Sequence, residues 1–277
     1  MPGERMLTRP IPSSGEEIGA VGLGTYRSFD TRLSPQKRIN LTEVLGLLFG
    51  AGGSVIDSSP MYGRAESVVG ELLEQMDARR KSWIATKVWT RGKEKGIRKM
   101  TGSLAKLRTG SIELMQVHNL VGCDDHLDTL RGWKAEGRIR YIGITHYTSS
   151  ALGELMGYLK QGGIDFVQFP YSIVDREAEN GFLAQCADLG VATMVNRPLE
   201  QGGLLHRARG PLPGFAAEIG CRSWSEYFLK YLLADPAITC VIPATGNPDH
   251  MRENLRAGMG EMPDRDLRRR MAAHIHG

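Results

Sequence analysis

The sequence predicts an α/β protein with one domain over residues 1–277, folded as a (β/α)8 TIM barrel with an N-terminal β-hairpin and extra C-terminal helices. Eight short runs are almost entirely apolar, which is typical of parallel strands buried on both faces. Most are separated by segments of helix length, and about 250 residues is the size of one such barrel. The alternative is a doubly wound open sheet. The even spacing of the units and the lack of a long linker favour the barrel.

The first predicted elements are a hairpin, a strand and a helix. Residues 7–19 alternate loosely and contain Pro12 and Gly15, which indicates a small hairpin. Residues 20–25 form a short apolar run whose two glycines permit close approach of a backbone or a ligand. Residues 34–50 carry apolar side chains at helical spacing.

The stretch 55–63 predicts a strand, a turn and then a helix. An apolar β-branched run ends at Asp57, and Pro60 prevents continuation of the strand. Tyr62 lies on the turn, and Gly63 allows the backbone to bend away. Residues 64–76 follow with apolar positions at helical spacing.

The same strand–helix unit then repeats to the end of the chain. Apolar runs predict the strands, and helical spacing or a helix-starting residue predicts the helices. The further predicted strands are 83–88, 112–118, 140–145, 166–169, 191–195 and 239–242. The further predicted helices are 96–107, 125–135, 149–159 with Ser149 as its cap, 177–189, 224–233, one opened by Pro248, and a final one containing Arg268, Arg269 and Arg270.

Composition indicates a soluble globular protein that acts on a small molecule. Hydrophobic residues make up 41% of the chain and charged residues 24%. The net charge of +4 is scattered, so the sequence shows no polybasic footprint for nucleic acid or a membrane surface. No run approaches the roughly 20 apolar residues of a membrane span, and residues 1–10 lack the apolar core of a signal peptide. We therefore expect a cytoplasmic protein, as a monomer or a weak homo-oligomer.

The cysteines and histidines indicate neither disulfides nor a metal site. The four cysteines form no C-x-x-C pair, and a reducing cytoplasm is the default compartment. The seven histidines do not cluster at metal-ligand spacings, so we expect no structural metal. The cysteines are Cys123, Cys186, Cys221 and Cys240.

Polar residues follow several predicted strands where each strand ends. In a closed barrel these positions converge on the face where barrel active sites lie. Taken alone, Asp57 could cap a helix, Lys87 could be a surface lysine and His118 could be an ordinary strand-end histidine. Their joint occurrence favours a site. The strand-end residues are Asp57, Lys87, His118, Thr145, Gln168 and Asn196, with Tyr62 just beyond Asp57.

These residue types together support proton donation. A phenol with a pKa of about 10 is a poor acid, and a nearby ammonium such as Lys87 lowers that pKa. A buried lysine needs a counter-charge, which Asp57 can supply. His118 can hydrogen-bond and orient a substrate oxygen. Such a proton donor beside a developing alkoxide is what carbonyl reduction by nicotinamide hydride transfer requires.

With these residues, the chain resembles the aldo-keto reductase family. The matching pieces run in order along the chain and are Gly22-Leu23-Gly24-Thr25, Ile56-Asp57 with Tyr62-Gly63, Thr86-Lys87, Gln116-Val117-His118-Asn119, Gly143-Ile144-Thr145, Val167-Gln168, and Ile242-Pro243 followed by Glu253-Asn254. The resemblance implies a barrel that binds NADPH, with NADH as the alternative, across its C-terminal face and reduces a small-molecule carbonyl. It implies Tyr62 as the general acid, Lys87 as its partner, Asp57 as the anchor of Lys87, and His118 as the group that positions the carbonyl.

The resemblance also implies the residues that hold the cofactor. Asn196 falls where many members stack an aromatic ring on the nicotinamide. The helix opened by Pro248 would offer its N-terminus to the adenosine phosphate, as suits an anion. The implied cofactor-binding residues are Gly24, Thr25, Tyr26 and Asp57; Thr145, His146 and Gln168 near the carboxamide; Asn196; Arg197, Leu199 and Gln201 along the pyrophosphate; and Thr245, Asn247, His250 and Asn254 at the adenosine phosphate.

Two of the departures from the family pattern bear on the choice between NADPH and NADH. Many members have a lysine and an arginine where this chain has Ala244 and His250. We therefore expect NADPH to be preferred over NADH by less than is typical, with Arg252 as a remaining candidate cation. Two other functions stay open: a cofactor-binding redox sensor with little turnover, and a barrel lyase that uses Lys87 as a Schiff base.

Overall fold

The computed structural model describes residues 5–208 and 210–276 and shows the predicted barrel. Eight strands form one parallel sheet in sequential order from β3 (Leu23–Gly24) to β10 (Cys240–Val241). Parallel bridges between Val21 and Val241, and between Gly24 and Ala244, join the first strand to the last. These bridges close the sheet, so the open-sheet alternative is wrong.

The remaining elements follow the predicted alternation. The hairpin strands are β1 (Thr8–Pro10) and β2 (Glu17–Gly19). The other barrel strands are β4 (Val55–Asp57), β5 (Trp83–Val88), β6 (Ile112–His118), β7 (Ile139–Thr145), β8 (Phe166–Pro170) and β9 (Ala192–Asn196). The helices are α1 (Pro35–Gly50), α2 (Ala65–Gln75), α3 (Lys93–Lys106), α4 (Cys123–Ala135), α5 (Leu152–Leu159), α6 (Phe182–Asp188), α7 (Gly203–Arg207), α8 (Trp224–Leu233), α9 (Pro248–Arg256) and α10 (Arg265–His276).

The hairpin closes the N-terminal end of the barrel. Inside the barrel, Trp83, Tyr141 and Phe166 pack with ring centroids 5.4 to 5.9 Å apart. The Tyr141 hydroxyl donates to Glu16 of the hairpin at 2.5 Å. Because this end is filled with aromatic side chains, a ligand can enter only from the opposite end, where the strands terminate.

Two predicted helices differ from the observed ones. Ser149 does not cap α5: its hydroxyl donates to the Asp175 carboxylate, and residues 149–151 form a short 3-10 turn instead. The helix predicted over 177–189 is broken, because Gly181 adopts a left-handed φ of 97° and α6 begins only after it. Among the described residues, no helix is both long and apolar enough to cross a membrane.

Candidate active site

A cavity of about 1010 Å³ opens at the C-terminal end of the barrel. It falls at the upper end of the range of small-molecule sites, which are typically about 300–1,000 Å³. It is lined by most of the residues predicted from the sequence. These are Gly24, Thr25, Tyr26, Asp57, Tyr62, His118, Thr145, Gln168, Asn196, Arg197, Leu199, Gln201, Thr245, His250 and Asn254.

Lys87 and Asp57 form a buried ion pair beneath this cavity. Lys87 Nζ donates to Asp57 Oδ2 at 2.6 Å and to the Ser58 carbonyl at 2.7 Å. The two side chains are 0% and 3% exposed. Asp57 lies opposite Ala85 in the parallel register of β4 and β5, so Lys87, two residues further on, shares the face of Ala85.

The charge state of Lys87 follows from this pairing. Burial alone lowers the pKa of Lys87, but the charge of Asp57, followed by the neighbouring Tyr62 and the hydrogen bond to Asp57, raises it by more, so that the net shift is upward. Lys87 therefore remains an ammonium at neutral pH. A protonated lysine is not a nucleophile, and its side chain is fully buried behind the cavity, which argues against a Schiff-base lyase.

Tyr62 lies on the turn after β4, with its ring centroid 5.2 Å from Lys87 Nζ. The turn requires glycine at position 63: its φ is 55°, and a Cβ there would lie 2.2 Å from an oxygen of Asp30. Burial raises the pKa of Tyr62 by more than Lys87 lowers it, so the net shift is upward. The predicted lowering by Lys87 is thus present but outweighed, and the phenol is protonated at neutral pH, as a proton donor must be.

His118 ends β6 beside Tyr62, with ring centroids 6.3 Å apart. Its Nδ1 lies 3.3 Å from Ser59 Oγ. Burial, followed by the charge of Lys87, lowers the pKa of His118 to about 3. The imidazole is therefore neutral at physiological pH and can hydrogen-bond a substrate oxygen without carrying charge.

An amide network surrounds the other oxygen of Asp57. Asp57 Oδ1 accepts from Gln168 Nε2 at 2.9 Å and from Gln116 Nε2 at 3.2 Å. Gln168 Oε1 in turn accepts from Thr145 and Asn196 at 3.1 and 3.3 Å. No role was predicted for Gln116 from the sequence. The available signal was a polar residue inside an apolar strand, two positions before His118 and therefore on the same face.

Two buried oxygens on the cavity wall are free to accept hydrogen bonds. Asn119 Oδ1 and Asn196 Oδ1 have no hydrogen-bond partner within the described part of the chain. Because an unpaired buried polar atom costs free energy, a bound group that donates to them is favoured. A primary carboxamide is such a group, so these residues fit the nicotinamide end of the predicted cofactor.

The His146 side chain, predicted to hold the carboxamide, is turned away from the cavity in this structure. The His146 ring stacks on Tyr147 with an interplanar angle of 6°, and its Nδ1 accepts from the Thr148 backbone at 3.2 Å. The ring does not line the cavity. Only the carbonyl of His146 takes part, by accepting from Asn196 Nδ2 at 3.0 Å.

Asn247 and Arg252 also lie outside the cavity wall. Asn247 is the N-cap of α9, where its side chain accepts from the Asp249 backbone at 2.9 Å. Arg252 donates to Glu43, and to Asp249 at 2.8 Å. Both side chains are engaged with neighbouring residues, and their suggested roles at the adenosine phosphate stay predictions.

The chain belongs to the aldo/keto reductase family, whose model matches residues 20–273, and it is therefore an oxidoreductase. The methylglyoxal reductase YeaE of Escherichia coli (strain K12) is 26% identical over 95% of this chain and 93% of that protein. The NADH-specific methylglyoxal reductase of the same organism is 29% identical over 54% of each chain. A solved aldo-keto reductase from Klebsiella pneumoniae in complex with NADPH shares the fold, with a TM-score of 0.82, 21% identity, and coverage of 98% of this chain and 96% of that one.

Proposed function

We propose that this chain reduces aldehydes or ketones to alcohols by hydride transfer from NADPH, with NADH as a poorer alternative. One observation carries the proposal: the protonated Tyr62 lines the cavity directly above the buried Lys87–Asp57 pair, whose N–O distance is 2.6 Å. A neutral phenol backed by an ammonium can release its proton when charge develops on a nearby oxygen.

The side chains divide the work of protonation. When bound, the cofactor supplies the hydride. Tyr62 gives its phenolic proton to the carbonyl oxygen, and Lys87 stabilises the phenolate that remains. Asp57 and the Ser58 carbonyl keep Lys87 charged and in place. The neutral imidazole of His118 hydrogen-bonds the same carbonyl oxygen and orients it toward Tyr62.

The residues along the cavity suit an extended dinucleotide. Asn119 and Asn196 offer their oxygens to the carboxamide. Arg197 Nε has no hydrogen-bond partner among the described residues and is a donor suited to the pyrophosphate. Thr245 and His250 line the cavity at the start of α9, where the backbone N–H groups of a helix N-terminus attract an anion.

The substrate end of the cavity is open and partly apolar. Tyr26, Met61 and Tyr147 line it and are 43%, 39% and 51% exposed. An open apolar surface discriminates weakly by shape, so we propose a broad range of small carbonyl substrates. Two relatives are named methylglyoxal reductases, which supports including 2-oxoaldehydes in this range.

The test is turnover of NADPH with a panel of small aldehydes that includes methylglyoxal. Tyr62→Phe should lower kcat by about 10²–10⁴-fold, the usual contribution of a positioned acid. Fluorescence titration with NADPH should be nearly unchanged, because the lost hydroxyl is not needed to bind the cofactor. Tyr158→Phe, which removes a hydroxyl away from the cavity, serves as the matched control.

The outcomes separate the alternatives. A wild-type protein that binds NADPH but turns over none of the panel would be a sensor and not a reductase. If Tyr62→Phe retained more than about a tenth of wild-type kcat, another group would be the acid.

A further inference from the structure

We propose that Gln116 is a positioning residue of the acid catalyst Tyr62. It binds Oδ1 of Asp57 and leaves Oδ2 to Lys87, and through the Asp57–Lys87 pair it sets the acidity of Tyr62. The inference rests on the proposed function, in which Tyr62 is the proton donor. It assigns a role in that reaction to a residue that touches neither substrate nor cofactor.

The placement of Gln116 is specific. Its side chain is fully buried in β6 and lies outside the cavity wall. Its Nε2 donates to Asp57 Oδ1 at 3.2 Å, and its Oε1 accepts from Gln168 Nε2 at 3.2 Å. Both the donor and the acceptor of the Gln116 amide are thus hydrogen-bonded, and the donor binds the Asp57–Lys87 ion pair.

The chemistry of the carboxylate fixes the direction of these bonds. An ionised carboxylate only accepts hydrogen bonds, so Gln116 and Gln168 must both turn their NH2 groups toward Asp57 Oδ1. Oδ2 is occupied by Lys87 at 2.6 Å. The two oxygens of Asp57 therefore have separate partners, amides on one side and the ammonium on the other.

This division controls the charge that Tyr62 experiences. A hydrogen bond to an ionised group stabilises its negative charge, which weakens the pull of Asp57 on the Lys87 proton. Without Gln116, Asp57 would bind the ammonium more strongly and expose more negative charge to Tyr62. The groups that face Tyr62 are Lys87, Asp57, Tyr26 and His118. Among these groups, a substitution at Gln116 acts on Tyr62 through the Asp57–Lys87 pair and should make Tyr62 a weaker acid.

The first experiment uses Gln116→Met, which keeps the side-chain length but cannot donate. In the proposed mechanism Tyr62 is the base for alcohol oxidation with NADP⁺, so the rate of this oxidation should rise with pH as Tyr62 loses its proton. We expect this rising limb of the pH–rate profile to shift to higher pH in the variant. We also expect kcat for carbonyl reduction at pH 7 to fall by about tenfold, which is the effect of one hydrogen bond to a charged group. KM and the Kd for NADPH should change by less than about twofold, because Gln116 lies outside the cavity wall.

The matched control is Thr239→Val at the opposite end of the barrel, where the Thr239 hydroxyl accepts from the Thr193 backbone at 3.0 Å. It also removes a buried hydrogen bond and should lower Tm, but it should leave the pH profile unchanged. If Gln116→Met behaved like this control, with a lower Tm and no shift of the limb, its role would be structural only and the proposal would be overturned.

A second variant and a readout without cofactor keep the test decisive. In Gln116→Glu only the protonated carboxyl can donate to Asp57, so kcat relative to wild type should fall as pH rises; a constant ratio would count against the proposal. The ¹³Cζ resonance of Tyr62, assigned with Tyr62→Phe, should begin to titrate at higher pH in Gln116→Met than in wild type. This titration needs no turnover, so it decides the role of Gln116 even if the wild-type protein reduced no carbonyl. A lack of carbonyl reduction by the wild-type protein would instead overturn the proposed function.

Discussion

The two ends of the cavity are built differently. At the catalytic end, the charged groups are buried and each has an assigned partner: Lys87 is 0% exposed and holds both Asp57 and the Ser58 carbonyl. At the other end, Ala244 and His250 are exposed, and the nearby Arg252 is engaged with Glu43 and Asp249. The catalytic end is preorganised, whereas the adenosine end presents few fixed cations.

This difference indicates how tightly each function is specified. A buried ion pair that loses one partner is strongly destabilised, so the catalytic end tolerates little change. An exposed helix terminus interacts with an anion through screened and adjustable contacts, so cofactor preference can shift at small cost. The reaction type is therefore the well-determined property of this site, and the choice between NADPH and NADH the loosely determined one.

The largest effect that sharpens this contrast is expected from Lys87→Met. The variant removes the charge that favours the phenolate of Tyr62 and leaves Asp57 buried without its cation. It should lose nearly all reductase activity and about 3–5 kcal/mol of unfolding free energy. Chemical denaturation and NADPH turnover measure both effects.

The control for Lys87→Met is Arg131→Met, whose pair with Asp128 is exposed at 49% and 75%. An exposed pair contributes less than about 1 kcal/mol, so this variant should be nearly as stable and as active as wild type. Equal losses of activity and of unfolding free energy in the two variants would contradict the difference expected between buried and exposed charges.

A smaller effect concerns His118 and acid. Burial lowers the pKa of His118 from 6.5 to about 3, so between these values the unfolded chain binds a proton that the folded chain does not. The contribution of the neutral His118 to the free energy of unfolding is therefore fully present above about pH 6.5 and is lost as pH falls toward 3. Wild type should lose more unfolding free energy than His118→Gln between pH 7 and pH 4, by up to a few kcal/mol at about 1.4 kcal/mol per unit of pKa.

Urea denaturation at several pH values measures this difference. If the free energies of unfolding of wild type and His118→Gln changed in parallel with pH, His118 would take up its proton in the folded state. The same low pKa predicts that His118 contributes no limb to the pH dependence of kcat between pH 5 and pH 8.

The smallest effect is expected at the adenosine end. His250→Arg adds a permanent cation beside the helix terminus and should raise the preference for NADPH over NADH by about ten- to a hundredfold, as for one hydrogen bond to a charged group. The ratio of the two dissociation constants is the measurement.

Arg252→Gln is the control, since Arg252 is held by two carboxylates outside the cavity. It should leave the ratio almost unchanged. A wild-type ratio of about 10³ or more at pH 7.5 would identify another cation as the phosphate ligand.

Much of the fold was predictable because its signals are local. The strand predicted over 83–88 and the helix predicted over 224–233 match β5 and α8 at both ends. A buried parallel strand needs a continuous apolar run, and a helix on its surface needs apolar residues at helical spacing. The failures at Ser149 and Gly181 have other causes, a contact with distant Asp175 and a left-handed backbone. The sequence pattern does not report either of them.

The sequence by itself predicted the residues of the proposed reaction centre. Asp57, Lys87 and His118 end successive strands, and the closed sheet brings such positions together whatever the details of packing. Only the tertiary structure decided which atoms meet: that Gln116 reaches Asp57, that the His146 ring turns away, and that the net pKa shift of Tyr62 is upward. The physical reason is that strand position is encoded by local hydrophobic pattern. Hydrogen-bond partners and burial instead depend on distances of a few tenths of an ångström between residues far apart in the chain.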